Sequence, residues 1–178
     1  MRVENDREHH DELIASRDME PVEGAVEIDI SAHELWEVFS RPRGWPIWNR
    51  CMTWVHNHDL ELGESLVWAF EPVRPHYLYR MPATARIVEL DAGRTVTWEV
   101  TAFPGMYARH TYEIVPTDEG SSRFRSWEQA MGPGFTALRN LWLAHFRFVC
   151  RESLAGVQRL EQVHRALGSL DGLRRHVG

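Results

Sequence analysis

Lysine is absent from this 178-residue chain, whose 20 Lys+Arg residues are all arginine. Schiff-base chemistry and a lysine general base are thereby excluded. Cysteine is scarce: Cys51 and Cys150 stand far apart, without C-x-x-C spacing. Neither a disulfide framework nor a thiolate metal site is indicated, and buried free thiols are expected. No stretch approaches the roughly 18 apolar residues of a membrane span, and the opening MRVENDREHHDE is too polar for a signal peptide. No basic cluster stands out to neutralise a run of phosphates, and a formal charge of -6 argues against a nucleic-acid surface. There is no glycine-rich phosphate loop ahead of a helix, no nucleophile elbow around Ser126 or either cysteine, and no internal repeat. A soluble, cytoplasmic, single-domain protein is expected, and 43% hydrophobic residues suffice for a core.

Residues 1–21 mix acids, arginines and histidines with few apolar anchors and read as a polar tail, His9 and His10 included. The folded domain is expected over residues 22–167, with a frayed tail over residues 168–178. Val22 to Ile30 reads as a strand with Val26, Ile28 and Ile30 on one face. Ser31 then caps a helix whose capping box is completed by Glu34, with Leu35, Trp36, Val38 and Phe39 on its buried side. The helix stops before Pro42, and Arg43 to Asn49 suits a turn or a brief second helix. From Cys51 the period changes to two. Strands are expected at about Met52–His58, Glu64–Glu71, Ala83–Leu90, Thr95–Thr101, Tyr107–Val115 and Ser122–Met131. Alternation is clearest in the last three and points His110, Tyr112, Ser126 and Glu128 inward. Pro72 to Pro82, rich in proline and aromatics, reads as a loop suited to act as a lid.

Gly134 to Leu167 reads as one long helix. At about 100° per residue, Leu138, Leu141, Trp142, His145, Val149, Glu152, Gly156 and Val163 share a face, while Arg139, Arg147 and Arg151 fall elsewhere. His145 and Glu152 interrupt that apolar face, so they are either hydrogen-bonded core residues or look into a cavity. The order of elements is α+β: a strand, one or two short helices, six antiparallel strands and a long C-terminal helix. A curved seven-stranded sheet wrapped around one helix rarely fills the space between them, which predicts a ligand cavity.

The run ISAHELWEVFSRPRGWPIWN, the G-x-x-x-x-W of Gly63 to Trp68, the RHTYEI around His110 and GSSRFRSWEQAMG ending at Gly132 carry a resemblance. Over about Val22 to Val163 the chain resembles the polyketide cyclase/dehydrase branch of the START-related (SRPBCC) superfamily. The resemblance implies a helix-grip fold and a hydrophobic small molecule held between sheet and helix, with cyclisation or dehydration of a polyketide in some members. It carries no shared catalytic signature to this sequence.

The inward residues supply the chemistry instead. Ring closure or dehydration needs a base beside a carbonyl and an acid for the developing oxygen. His110 next to Glu128 suits a base oriented by a carboxylate, with Tyr112 or His145 donating to oxygen; equally, the pair can be a buried structural bond. Trp68, Phe70, Trp98, Ser126, Trp142, Phe148 and Glu152 are the expected substrate contacts, in a chain with eight tryptophans whose flat walls suit a polycyclic ligand. His56 and His58 share one strand face, but strand-end histidines are the simpler account and no metal or other cofactor is expected. Two classes of function follow: a cofactor-independent cyclase, aromatase or dehydratase, towards which five inward ionisable or phenolic groups lean, and a non-catalytic carrier or sensor for a lipid or aromatic molecule. A homodimer, and delivery of substrate by a synthase or carrier protein, are compatible with the sequence and not specified by it.

Overall fold

The computed structural model of the protein describes residues 21–71, 81–103 and 105–173. Strand β1 (Val22–Ile28) leads into helix α1 (Ala32–Phe39), a 3-10 turn (Pro42–Gly44) and the single-turn helix α2 (Trp45–Trp48). Six strands follow: β2 (Met52–Val55), β3 (Ser65–Phe70), β4 (Met81–Asp91), β5 (Thr95–Phe103), β6 (Met106–Pro116) and β7 (Ser122–Met131). Helices α3 (Pro133–Ala137) and α4 (Arg139–Leu167) complete the fold. All seven strands form one antiparallel sheet in the order β1-β7-β6-β5-β4-β3-β2. The first strand therefore lies beside the last, and the consecutive hairpins run from there to the β2 edge. This is the α+β, helix-grip arrangement expected, a curled sheet with a long helix against it.

Period-two patterning puts Met106, Ala108, His110, Tyr112 and Ile114 of β6 on the inner face, with Ser122, Phe124, Ser126, Glu128 and Ala130 of β7 beside them. All ten are buried. Val149, Val157 and Leu160 of α4 close one side of this core, and Leu35, Phe39, Trp45 and Trp48 of the short helices close the other. Cys51 and Cys150 are buried free thiols. Burial pushes both thiols up from their ordinary pKa, Cys51 far up, and so keeps them protonated and inert.

Several expectations are corrected. β2 ends at Val55, not His58, because the Asn57 side chain replaces the ladder: its Nδ2 donates to Ser65 O (2.8 Å) and its Oδ1 accepts from Val67 N (2.9 Å). The capping box is half made. Ser31 Oγ accepts from Glu34 N at 3.2 Å, but the Glu34 carboxylate turns to the far end of α4. There it accepts from Leu170 N (2.9 Å) and lies 3.2 Å from His164 Nε2. Leu170 is wholly buried, so the C-terminal segment expected to be frayed is docked at that residue. The single helix over Gly134 to Leu167 is two, broken at Leu138 (φ -120°, ψ 27°). α3 buries Phe135 against Met106, Ala108, Ala130 and Phe146 at the end of the sheet, and the break leaves Leu138 exposed instead of on the inner face. Most of the expected lid, residues 72–80, and nearly all of the expected N-terminal tail lie outside the described residues. Among the described residues no helix is long and apolar enough to cross a membrane.

Glycine at 156 lets α4 approach α2 closely. A Cβ there would lie 2.7 Å from Trp48 O and 2.8 Å from Trp48 Cε3, in a contact also held by Arg159, whose Nε and Nη2 donate to Trp48 O at 3.0 and 2.9 Å. Gly156→Ala gains about 1 kcal/mol of helix propensity but overpacks against backbone, which costs about 1–3 kcal/mol. The variant is expected to be less stable despite the better helix former, with thermal denaturation showing a midpoint lowered by about 2–4 °C per kcal/mol lost.

Candidate functional site

Between the concave face of the sheet and the first half of α4 lies a cavity of about 280 Å³. Trp68 and Phe70 of β3, Trp98 and Val100 of β5, Met106, Ala108 and His110 of β6, Glu128 of β7, and Trp142, His145, Phe146 and Val149 of α4 line it, with Met52, Pro82 and Ala83. The wall is mostly aromatic and aliphatic. Among the described residues His110, Glu128 and His145 are its ionisable groups.

Strand register builds the polar corner. Trp98, His110 and Glu128 are directly opposite one another across β5, β6 and β7, so their side chains form one row on the inner face. His110 Nδ1 lies 3.2 Å from Glu128 Oε2 and Nε2 lies 3.1 Å from Ser126 Oγ, which engages both ring nitrogens. The ring also stacks on Trp98, centroids 5.0 Å apart at 17°. An imidazole held at three points cannot swing into the cavity. Glu128 Oε2 is occupied by His110, while Oε1 has no hydrogen bond among the described residues and Glu128 lines the cavity. His145 sits edge-on to Phe70 (4.8 Å, 89°), and its Nδ1 is buried without a hydrogen-bond partner among the described residues. Burial lowers its pKa from the ordinary 6.5, outweighing the opposite pull of Glu128, and favours the neutral ring.

The residues expected to form the site divide into two groups. His110, Glu128, His145, Trp68, Phe70, Trp98 and Trp142 do meet at one cavity. Tyr112, Ser126, Phe148 and Glu152 do not line it. Tyr112 is inward but wholly buried, 2.7 Å from Ser153 Oγ. Ser153 donates its one proton to Val149 O (2.8 Å) and accepts from Asn49 Nδ2 (3.1 Å), so the tyrosine hydroxyl must be the donor in their bond. Burial also raises the Tyr112 pKa well above its ordinary 10.0. The phenol is a structural clamp and offers no acid to the cavity. Ser126 stands behind His110. Phe148 packs on the main core with the Arg151 guanidinium 5.6 Å from its ring centroid, and Glu152 lies at the helix edge beside Arg151 and Arg159.

Sequence reasoning missed Phe146. Its signal was the four-residue spacing from Trp142, on whose ring it stacks at 6.0 Å and 24°. Met52, Met106, Ala108 and Val100 were missed as well, and nothing but strand register marks them as lining residues. His56 and His58 are exposed, with His56 against Trp54 (5.9 Å). Among the described residues no three His, Cys, Asp or Glu side chains gather in a way that could hold a metal ion.

Known proteins share this architecture. A START superfamily protein from Mycobacterium smegmatis superposes with a TM-score of 0.57 at 14% identity, over 79% of this chain and 98% of that one. Norcoclaurine synthase from Thalictrum flavum, in complex with dopamine and hydroxybenzaldehyde, gives 0.56 at 17% identity, over 80% of this chain and 87% of the other. The di-domain ARO/CYC BexL from the BE-7585A biosynthetic pathway gives 0.54 at 14% identity, over 76% of this chain and 46% of that one. At such identities the likeness is one of fold. No curated protein matches in sequence. The profile of the polyketide cyclase / dehydrase and lipid transport family matches residues 19–165, nearly the whole folded region, and the chain belongs to that family.

Proposed function

We propose that the protein is a cofactor-independent enzyme that cyclises or dehydrates a hydrophobic, polyketide-like carbonyl compound by acid/base catalysis in this cavity. The observation that carries the reading is the Glu128 carboxylate in a mostly apolar lining, one oxygen held by His110 and the other without a hydrogen bond among the described residues. The roles within the pair are the reverse of the sequence expectation. A carboxylate only accepts, so Nδ1–H of His110 donates to Glu128 while Nε2 faces the Ser126 hydroxyl; His110 positions and Glu128 is the base. Glu128 takes a proton from the carbon next to a substrate carbonyl, and the electron pair moves to the carbonyl oxygen. The resulting enolate attacks a second carbonyl, or expels a β-hydroxyl that leaves as water once protonated. His145, kept neutral by its surroundings, is a hydrogen-bond donor for the developing oxygen. The aromatic walls exclude water and orient flat rings.

A second reading, binding without turnover, draws on one observation. Both His110 nitrogens are already engaged by protein partners, which is what a buried structural pair would also show. The two readings separate on Glu128. Glu128→Gln keeps the shape and removes the base, and is expected to lower kcat by about 10²–10⁴-fold while ligand affinity stays within about tenfold. Native mass spectrometry of protein from its own host identifies the compound on which to run that assay. Unchanged turnover in Glu128→Gln would sink the enzyme reading, and a mixed population of bound fatty acids would favour the carrier.

The buried imidazole of His145 makes a separate statement about acid stability. In the folded protein its pKa lies below 6.5, so below that pH the unfolded chain binds a proton that the folded chain resists. The stability associated with the neutral ring is therefore present at neutral pH and lost as pH falls below about 6.5. His145→Phe removes this component. Urea denaturation at pH 7.5 and pH 5 is expected to show the variant gaining on the wild type at the lower pH; parallel pH dependences would contradict it.

A further inference from the structure

Among the described residues the cavity wall carries one carboxylate, with no guanidinium beside it. Glu128 is its carboxylate, His145 is a buried imidazole with one nitrogen sealed against protein, and among the described residues none of the chain's many arginines lines the space. A ligand entering here loses water, and so does the free oxygen of Glu128. That oxygen needs a donor, because a buried carboxylate oxygen left against carbon forfeits its hydrogen bonds to water with nothing in return. A second carboxylate brought near it would add like-charge repulsion in a poorly screened space. A fatty acid fails either way round: head-first it sets acid against acid, and tail-first it lays against Oε1 alkyl methylenes that, unlike a hydroxyl, an amine or the acidic C–H next to a carbonyl, offer it no polarised hydrogen. The cavity volume, about 280 Å³, lies just below the ~300–1,000 Å³ usual for ligand sites. Trp68, Trp98, Trp142, Phe70 and Phe146 supply ring surface on several sides of it. Such a wall suits a compact aromatic body better than a long flexible chain.

From these features we infer that the cavity is selective for a small aromatic molecule whose polar end is a hydrogen-bond donor, a phenol or an amine, and that it rejects carboxylates, fatty acids among them. The inference deepens the reading given above and rests on it only for the orientation of the Glu128 carboxylate toward the cavity. Discrimination here is mainly repulsive: the wrong ligand is refused by an unpaired acid more than the right one is gained by a contact.

Three probes with one aromatic body test it on the intact protein: 2-naphthol, 2-(2-naphthyl)ethylamine and 2-naphthoic acid, with palmitate as a fourth, titrated calorimetrically at pH 7.5. Naphthol and the amine are expected to bind at least tenfold more tightly than naphthoate or palmitate, and Glu128→Gln is expected to narrow that gap severalfold, mainly by improving naphthoate. Naphthoate or palmitate binding as tightly as the donor probes would overturn the inference. So would a preference that survives intact in Glu128→Gln, or the failure of all three naphthalenes to bind. The outcome is independent of turnover. Carboxylate tolerance together with a base-dependent reaction would remove the selectivity and leave the enzyme, whereas donor selectivity without Glu128-dependent turnover would do the reverse.

Discussion

One hydroxyl determines where the long helix can sit. Ser153, in the middle of α4, gives its proton to Val149 O one turn back and accepts from Tyr112 on β6 and Asn49 just after α2. Three elements from distant parts of the chain thus converge on a single buried oxygen, and Asn49 Oδ1 extends the network to Cys51 N at the start of the sheet's far edge. Each partner is buried, so misplacing any of them would strand a polar group without water. From this point towards its C-terminus α4 is packed against a dry core, with Val157 and Leu160 inside and Gly156 against Trp48. Towards its N-terminus the same helix face carries Val149, Phe146, His145 and Trp142, and there the sheet and helix stand apart and leave a cavity.

The division gives two fates to chemically similar residues. His110 and Tyr112 are two positions apart on one strand and both point inward, with ring centroids 4.5 Å apart. Tyr112 lies on the packed side of the boundary, meets the Ser153 hydroxyl and becomes a clamp. His110 lies on the open side, meets Glu128 and Ser126, and becomes the support for a carboxylate that lines the cavity. Trp98 touches both, stacked on one and edge-on to the other at 5.2 Å, and so ties the geometry of the open side to that of the core. A polar group is placed at this cavity by rigid strands, which hold directions better than loops do.

The family assignment and the cavity speak at different levels. A profile covering residues 19–165 shows the family, and superpositions at 14–17% identity show a shared shell, neither of which fixes a ligand. Within that shell this chain carries the polar row of Trp98, His110 and Glu128 and an aromatic lining around it. Those features are the ones on which the proposed chemistry and selectivity rest, and they belong to the side chains alone.

Much of this was legible in the sequence. Period-two alternation in β5, β6 and β7 named the inward residues correctly, since a side chain one position out of register would have put a charge in the core. The helix, its end before Gly168 and the free, buried thiols were likewise matters of local chemistry. Pair formation across strands, by contrast, depends on register: His110 and Glu128 are neighbours because β6 and β7 align there. Nothing local separates Tyr112 from His110, or a helix face that packs from one that lines a void. Leu138 left the predicted face because burial of Phe135 turned the chain. Glu34 left its capping box for Leu170, which lies 136 residues further on. The sequence alone determined which residues prefer the inside, because that preference is carried by each side chain and its spacing. Only the tertiary structure decided which of them are sealed and which face the cavity, because that follows from where one buried hydroxyl lets the helix meet the sheet.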